Sequence, residues 1–226
     1  MSLWSRIAAA ISALAQGEPL SDVFDHLRTP PERTVAFAIA VIALGAKMAK
    51  ADGQVTRNEV AAFREVFTIP KAEEENAARV FNLARQDVAG FEEYAERIAR
   101  MFRKQEAPLC DLMEGLFYIA MADGEYHEAE DRFLTRVAEI FGVSQRAFRA
   151  MRSRFVPDAQ PDPYDLLGVS PGDDMATIRA AWRQAVRENH PDRMYARGVP
   201  EEAIHLAERR LIAINRAWSE ICEGCT

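Results

Sequence analysis

The chain has 226 residues, of which 49% are hydrophobic and 28% charged, with a formal net charge of −7. That length supports one large domain or two modest ones, and the balance excludes a disordered or fibrous chain. The acidic balance also argues against wholesale electrostatic capture by nucleic acid, so any basic surface must be local.

Residues 1–16 place Leu3, Trp4, Ile7, Ile11 and Leu14 at helical spacing, which predicts a short amphipathic helix. Such a helix either folds back on its own domain or makes peripheral contact with a membrane surface; its single arginine, Arg6, disfavours the second use. No secretory signal is visible, and the expectation is a cytoplasmic protein, at most peripheral at the inner face of the membrane. Gly17, Pro19, Pro30 and Pro31 punctuate the next stretch as a loop, so residues 1–29 read as an N-terminal helix and loop. The apolar run Val35 to Ala46 falls short of the roughly 20 residues needed to cross a bilayer and reads as a buried core helix.

Through residues 30–155 apolar positions recur every three or four residues, without the alternation that marks strands, so the fold class is all-α. An internal repeat lies inside this stretch. Ala51-Asp52-Gly53 is matched by Ala122-Asp123-Gly124, and the same offset carries Glu59 onto Glu130 and Phe63 onto Leu134. Each copy reads as helix, Asp-Gly turn, helix, with the glycine suited to the left-handed residue that ends a helix and Thr56-x-x-Glu59 suited to a capping box. The functional alternative is that Asp52, Glu59, Asp123 and Glu130 converge on a divalent cation, calcium or magnesium. An EF-hand is excluded, because neither copy carries the alternating Asp/Asn ligands of its loop. Cys110, Cys222 and Cys225 include one terminal C-x-x-C without a second pair to complete a tetrahedral site, and read as reduced thiols.

The two Ala-Asp-Gly turns, each with a downstream glutamate, resemble the TerB (tellurite-resistance) family, a helical bundle built from two such repeats. That resemblance implies the bundle fold for residues 30–155 and is what associates the acidic residues near the turns with a cation.

Residues 156–163 carry three prolines, Pro157, Pro161 and Pro163, and read as a stiff linker. Beyond it, in residues 164–226, Tyr164 to Val169 predicts a short helical turn closed by Gly168. Asp174 is placed to cap a helix of about Met175 to Asn189. That helix turns Ile178, Ala181, Trp182, Ala185 and Val186 inward and strings Arg179, Arg183 and Arg187 along its outer side. Pro191 disfavours helix at His190, so His190-Pro191-Asp192 is expected as an exposed corner, with residues 190–200 as a connection. A last helix from about Glu201 to Cys222 shows one apolar seam of Ile204, Ala207, Leu211, Ile214, Trp218 and Ile221, which can pack antiparallel on the arginine helix.

Tyr-x-x-Leu-Gly-Val, a basic helix, His-Pro-Asp and a long amphipathic helix, in that order, resemble the J domain of DnaJ-type chaperones. The resemblance implies a docking device rather than a catalyst. Its partner would be a DnaK-type chaperone whose ATP hydrolysis it stimulates. His190, Pro191 and Asp192 would be the trigger, and Arg179, Arg183 and Arg187 the footing on an acidic surface. An arginine stripe suits that role, since it steers encounter and fixes orientation more than it raises affinity. Trp182 stands where the family usually has Tyr. The long segment Met194 to Pro200 is similar to DjlA-type members, which also carry a TerB-like domain ahead of a C-terminal J domain but begin with a membrane-spanning segment that is not found here. No Gly/Phe-rich linker and no repeated zinc cysteines are present, so the choice of an unknown client falls to residues 1–155. No required cofactor and no nucleic-acid partner are expected. The competing reading makes the bundle primary, as a metal-responsive stress module with the J domain as accessory.

Overall fold

The computed structural model describes residue 7, residues 32–51, 71, 74, 75, 78, 90–102, 105–121, 124–156, 162–200 and 204–224. Among them the ordered elements are nine helices and no strand, as the all-α expectation requires. The loop expected at 17–31 and the turn of the first repeat lie outside the described residues.

Five helices build the bundle: α1 (Glu32–Ala51), α2 (Phe91–Met101), α3 (Glu106–Ala120), α4 (Glu128–Phe141) and α5 (Gln145–Phe155). The first of them is apolar on all sides and correspondingly buried on all sides, from Val35 through Leu44, with α2, α3 and α4 packed around it. Each Val, Ile, Leu or Phe so buried contributes about 1.5–3 kcal/mol relative to exposure. Gly45 lets α3 approach closely, since a Cβ there would lie 3.0 Å from Ile119 Cδ1. One face only is buried on α2, through Tyr94, Ala95, Ile98 and Ala99, the three-and-four spacing of an amphipathic helix. At the end of α4, Gly142 adopts φ 72°, a left-handed residue that closes the helix. Ser144 then caps α5, accepting the Ala147 N–H at 3.2 Å, and Phe148 and Phe155 reach back to the Phe117 ring, at 5.5 and 5.7 Å between centroids.

The remaining chain is a hairpin with two short attachments. Asp162 caps α6 (Pro163–Leu167), whose end is Gly168 at φ 73°. Asp174 caps α7 (Met175–Glu188) by accepting the Thr177 N–H at 2.6 Å, and that bond holds its carboxyl below the usual range. After α8 (Pro191–Ala196) comes α9 (His205–Gly224), packed on α6 and α7. Leu167, Val169, Ile178, Ile214, Ala217 and Ile221 form a small core between them, and Trp182 stacks on Trp218 at 5.1 Å while donating to Asn215 Oδ1 at 3.0 Å. So the indole at 182 is half-buried and gains a polar partner.

Two expectations are corrected here. The stretch after His190 is not a plain connection, because Pro191 occupies the first turn of α8, where its missing N–H interrupts no helical hydrogen bond. The apolar seam of the last helix does not serve a single core: Leu206 and Ala207, with Met194 and Val199, belong to the core of the bundle, and only the later positions serve the small one. Of residues 1–16 only Ile7 is described, and it is fully buried in the bundle core, in keeping with the alternative that this segment folds back on its own domain.

Candidate functional site

The corner singled out in the sequence lies between α7 and α8. His190 is the N-cap of α8, its Nδ1 accepting the Asp192 N–H at 3.3 Å, and its side chain is 57% exposed. The Asp192 carboxylate is 90% exposed and lies 3.5 Å from His190 Nδ1. Pro191 fixes the backbone between them, so little conformational entropy is left for a partner to remove.

Arg179, Arg183 and Arg187 are all exposed on α7. The Arg179 guanidinium lies 5.9 Å from the centre of the Trp218 ring, and among the described residues none of the three meets a carboxylate. The stripe and the corner are both exposed, and the stripe runs along the helix whose end carries the corner.

Behind the corner is a buried ion cluster that the sequence reading did not single out. Asp111 and Glu114, on α3, are 0% and 2% exposed at their side chains. Arg210 of α9 bridges them, with Nη1 2.8 Å from Asp111 Oδ1 and Nη2 2.6 Å from Glu114 Oε2. Arg197 pairs with Asp111 at 3.1 Å, and Arg154 of α5 pairs with Glu114. Burial pushes the Asp111 carboxyl up, against the pull of Arg210 and Arg197. At Glu114 burial is outweighed by Arg154 and Arg210, and that carboxyl is held below its usual range. Burial also lowers Arg154 and pushes the neighbouring Cys110 thiol up to about 12. A signal for the cluster was present: two carboxylates three residues apart in the otherwise apolar stretch Leu109 to Phe117.

Of the four carboxylates offered to a cation, Asp52, Glu59 and Asp123 lie outside the described residues. Glu130 accepts the His127 N–H at 2.9 Å, the capping role that its repeat partner Glu59 was given opposite Thr56. Gly124, in the same turn, has φ 87°.

A helical bundle carries, toward its C-terminal side, a hairpin with a polar exposed corner. The family of tellurite resistance protein TerB matches residues 38–153, just over half of the chain, and the chain belongs to that family. It is also DjlA-like over most of its length. The co-chaperone protein DjlA of Photobacterium profundum is 26% identical, over 84% of this chain and 78% of its own. That of Coxiella burnetii is 26% identical over 77% and 72%, and that of Escherichia coli K12 24% identical over 98% and 97%. No solved structure matches the chain. The relatives' names give a co-chaperone role and no compartment. No helix among the described residues is long and apolar enough to cross a membrane, which neither confirms nor excludes membrane association, so the cytoplasmic expectation does not stand.

Proposed function

We propose that residues 164–226 act as a J domain that docks on a DnaK-type chaperone and stimulates its ATP hydrolysis, while the bundle recruits a client or a location. The observation that carries this reading is the exposed His190-Pro191-Asp192 corner at the end of an arginine-lined helix whose guanidiniums meet no carboxylate among the described residues. The co-chaperone names of the relatives support it.

In this reading the protein performs no chemistry of its own. The arginines draw the hairpin onto an acidic surface of the partner through long-range attraction and forked hydrogen bonds, so encounter weakens as salt rises. Asp192 offers an unshielded carboxylate to a cationic side chain of the partner, and the proline-fixed corner presents it in one geometry. Hydrolysis takes place in the partner's own nucleotide site.

Single-turnover ATP hydrolysis by a DnaK-type chaperone tests the reading. Wild-type protein accelerates hydrolysis, and His190→Gln or Asp192→Asn removes the acceleration. Acceleration that survives both substitutions, or none from wild type, removes the J-domain reading. A divalent cation at the two Asp-Gly turns is a separate proposal; calorimetric titration with calcium or magnesium giving no heat in wild type or in Asp52→Ala/Asp123→Ala would dispose of it.

A further inference from the structure

Asp111 belongs to the bundle, yet both cations that pair with it come from the hairpin. Each of those arginines also donates to the residues just ahead of the corner, Arg197 through a nitrogen that does not serve Asp111 and Arg210 through the Nη1 that does. Arg197 Nη1 donates to the Glu188 carbonyl at 2.9 Å, and Arg210 Nη1 donates to Asn189 Oδ1 at 2.6 Å.

Those two acceptors are where the backbone leaves α7. The Glu188 carbonyl is one of the acceptors left without an intrahelical partner at a helix end. Asn189 is the C-cap, its N–H and its Nδ2 both donating to the Ala185 carbonyl, at 3.0 and 2.7 Å. His190 follows directly. The Arg197 bond to Glu188 also closes a loop that contains the whole corner and α8, so the corner is bracketed from behind by two guanidiniums that share one bundle carboxylate, Asp111, while Arg210 also pairs with Glu114.

A buried carboxylate is a poor stabiliser in itself, since an apolar side chain of similar volume usually serves a core as well or better. What it can supply is one defined arrangement of the groups it pairs with. We propose that Asp111 is a positioning residue for the His190-Pro191-Asp192 corner, fixing through Arg197 and Arg210 the direction in which the corner leaves α7. The inference rests on the corner being the partner-docking element, and adds that the bundle sets how that element is presented. A client held by the bundle then has a direct route to it, one carboxylate and two arginines long.

The experiment uses the full chain and two readouts. The first is the imidazole resonance of His190 by NMR, assigned with His190→Gln; the second is the maximal single-turnover rate of a DnaK-type chaperone against co-chaperone concentration. Asp111→Asn should keep the helical content while shifting the His190 resonance and lowering the maximal stimulated rate roughly tenfold. Arg197→Lys, which keeps the charge and loses the planar fork, should shift both readouts in the same direction by less. Arg209→Ala removes a different contact between hairpin and bundle, the stacking and hydrogen bond on Tyr118, and should leave both readouts at wild-type values. If Asp111→Asn is folded and leaves the resonance and the rate unchanged, the proposal is overturned. Should that variant fail to fold, unchanged readouts in Arg197→Lys overturn it equally. If Asp192→Asn stimulates as well as wild type, the docking reading is what fails, and the His190 resonance still decides whether Asp111 positions the corner.

Discussion

Six arginines of this protein divide into two groups of three with opposite employment. Arg154, Arg197 and Arg210 are mostly buried at their side chains, 15%, 20% and 11% exposed, and hold two carboxylates of α3. Arg179, Arg183 and Arg187 stand in the open on α7 with no carboxylate partner among the described residues. The buried group answers charges already inside the molecule, where an unpaired ion would be costly. The exposed group loses nothing by waiting, because water solvates it, and it keeps its charge for a second molecule. The same side chain therefore makes structure in one place and, in the proposed function, a docking surface in another, and what decides is the company of the carboxylates, not the residue type.

The comparison breaks most visibly on the buried side. Glu114→Gln leaves Arg154 and Arg210 without their shared carboxylate and should cost about 3–5 kcal/mol of unfolding free energy in urea at pH 7. The loss should depend on pH with a defined sign. Because its arginines lower the Glu114 pKa in the folded protein, its stabilisation is complete above the ordinary value of 4.5 and is lost as pH falls below it, so the gap between wild type and variant narrows there. A gap that stays constant down to pH 3 would mean that the carboxylate is not held by its arginines.

The exposed side should respond in the opposite way. Arg183→Glu/Arg187→Glu should move stability by no more than about 0.5 kcal/mol. Association with a DnaK-type chaperone should weaken roughly tenfold at low salt and lose most of its salt dependence. An equally steep salt dependence in the variant would assign the steering elsewhere. The smallest effect sharpens the contrast in environment. With its thiol pushed up to about 12, Cys110 should resist iodoacetamide at pH 8 in the folded protein and react only on unfolding, as read by peptide mass mapping.

Local features were legible in the sequence because their causes are local. Asp174 and Gly168 each terminate an element through bonds to residues a few positions away, and the wholly apolar face of α1 announced its own burial. The short helix after His190 was hidden because proline reads as a stop for the preceding residue while serving equally well as a first helical residue. The ion cluster was hidden for a different reason. Asp111 and Arg197 are 86 positions apart, and nothing in either neighbourhood names the other. The periodic seam of α9 likewise shows that a strip is buried without saying that it is divided between two cores. At Glu130 the sequence offered a cap and a cation ligand together, and the described contact is the cap.

The most direct test of the docking surface is to watch it by NMR. An amide-labelled sample of the full chain is titrated with an ATP-bound DnaK-type chaperone. The account predicts that signal loss concentrates on residues 179–192, the arginine face of α7 and the corner, and that Asp192→Asn weakens it. Perturbation centred on another surface with residues 179–192 unaffected, or no perturbation at any concentration, would contradict it.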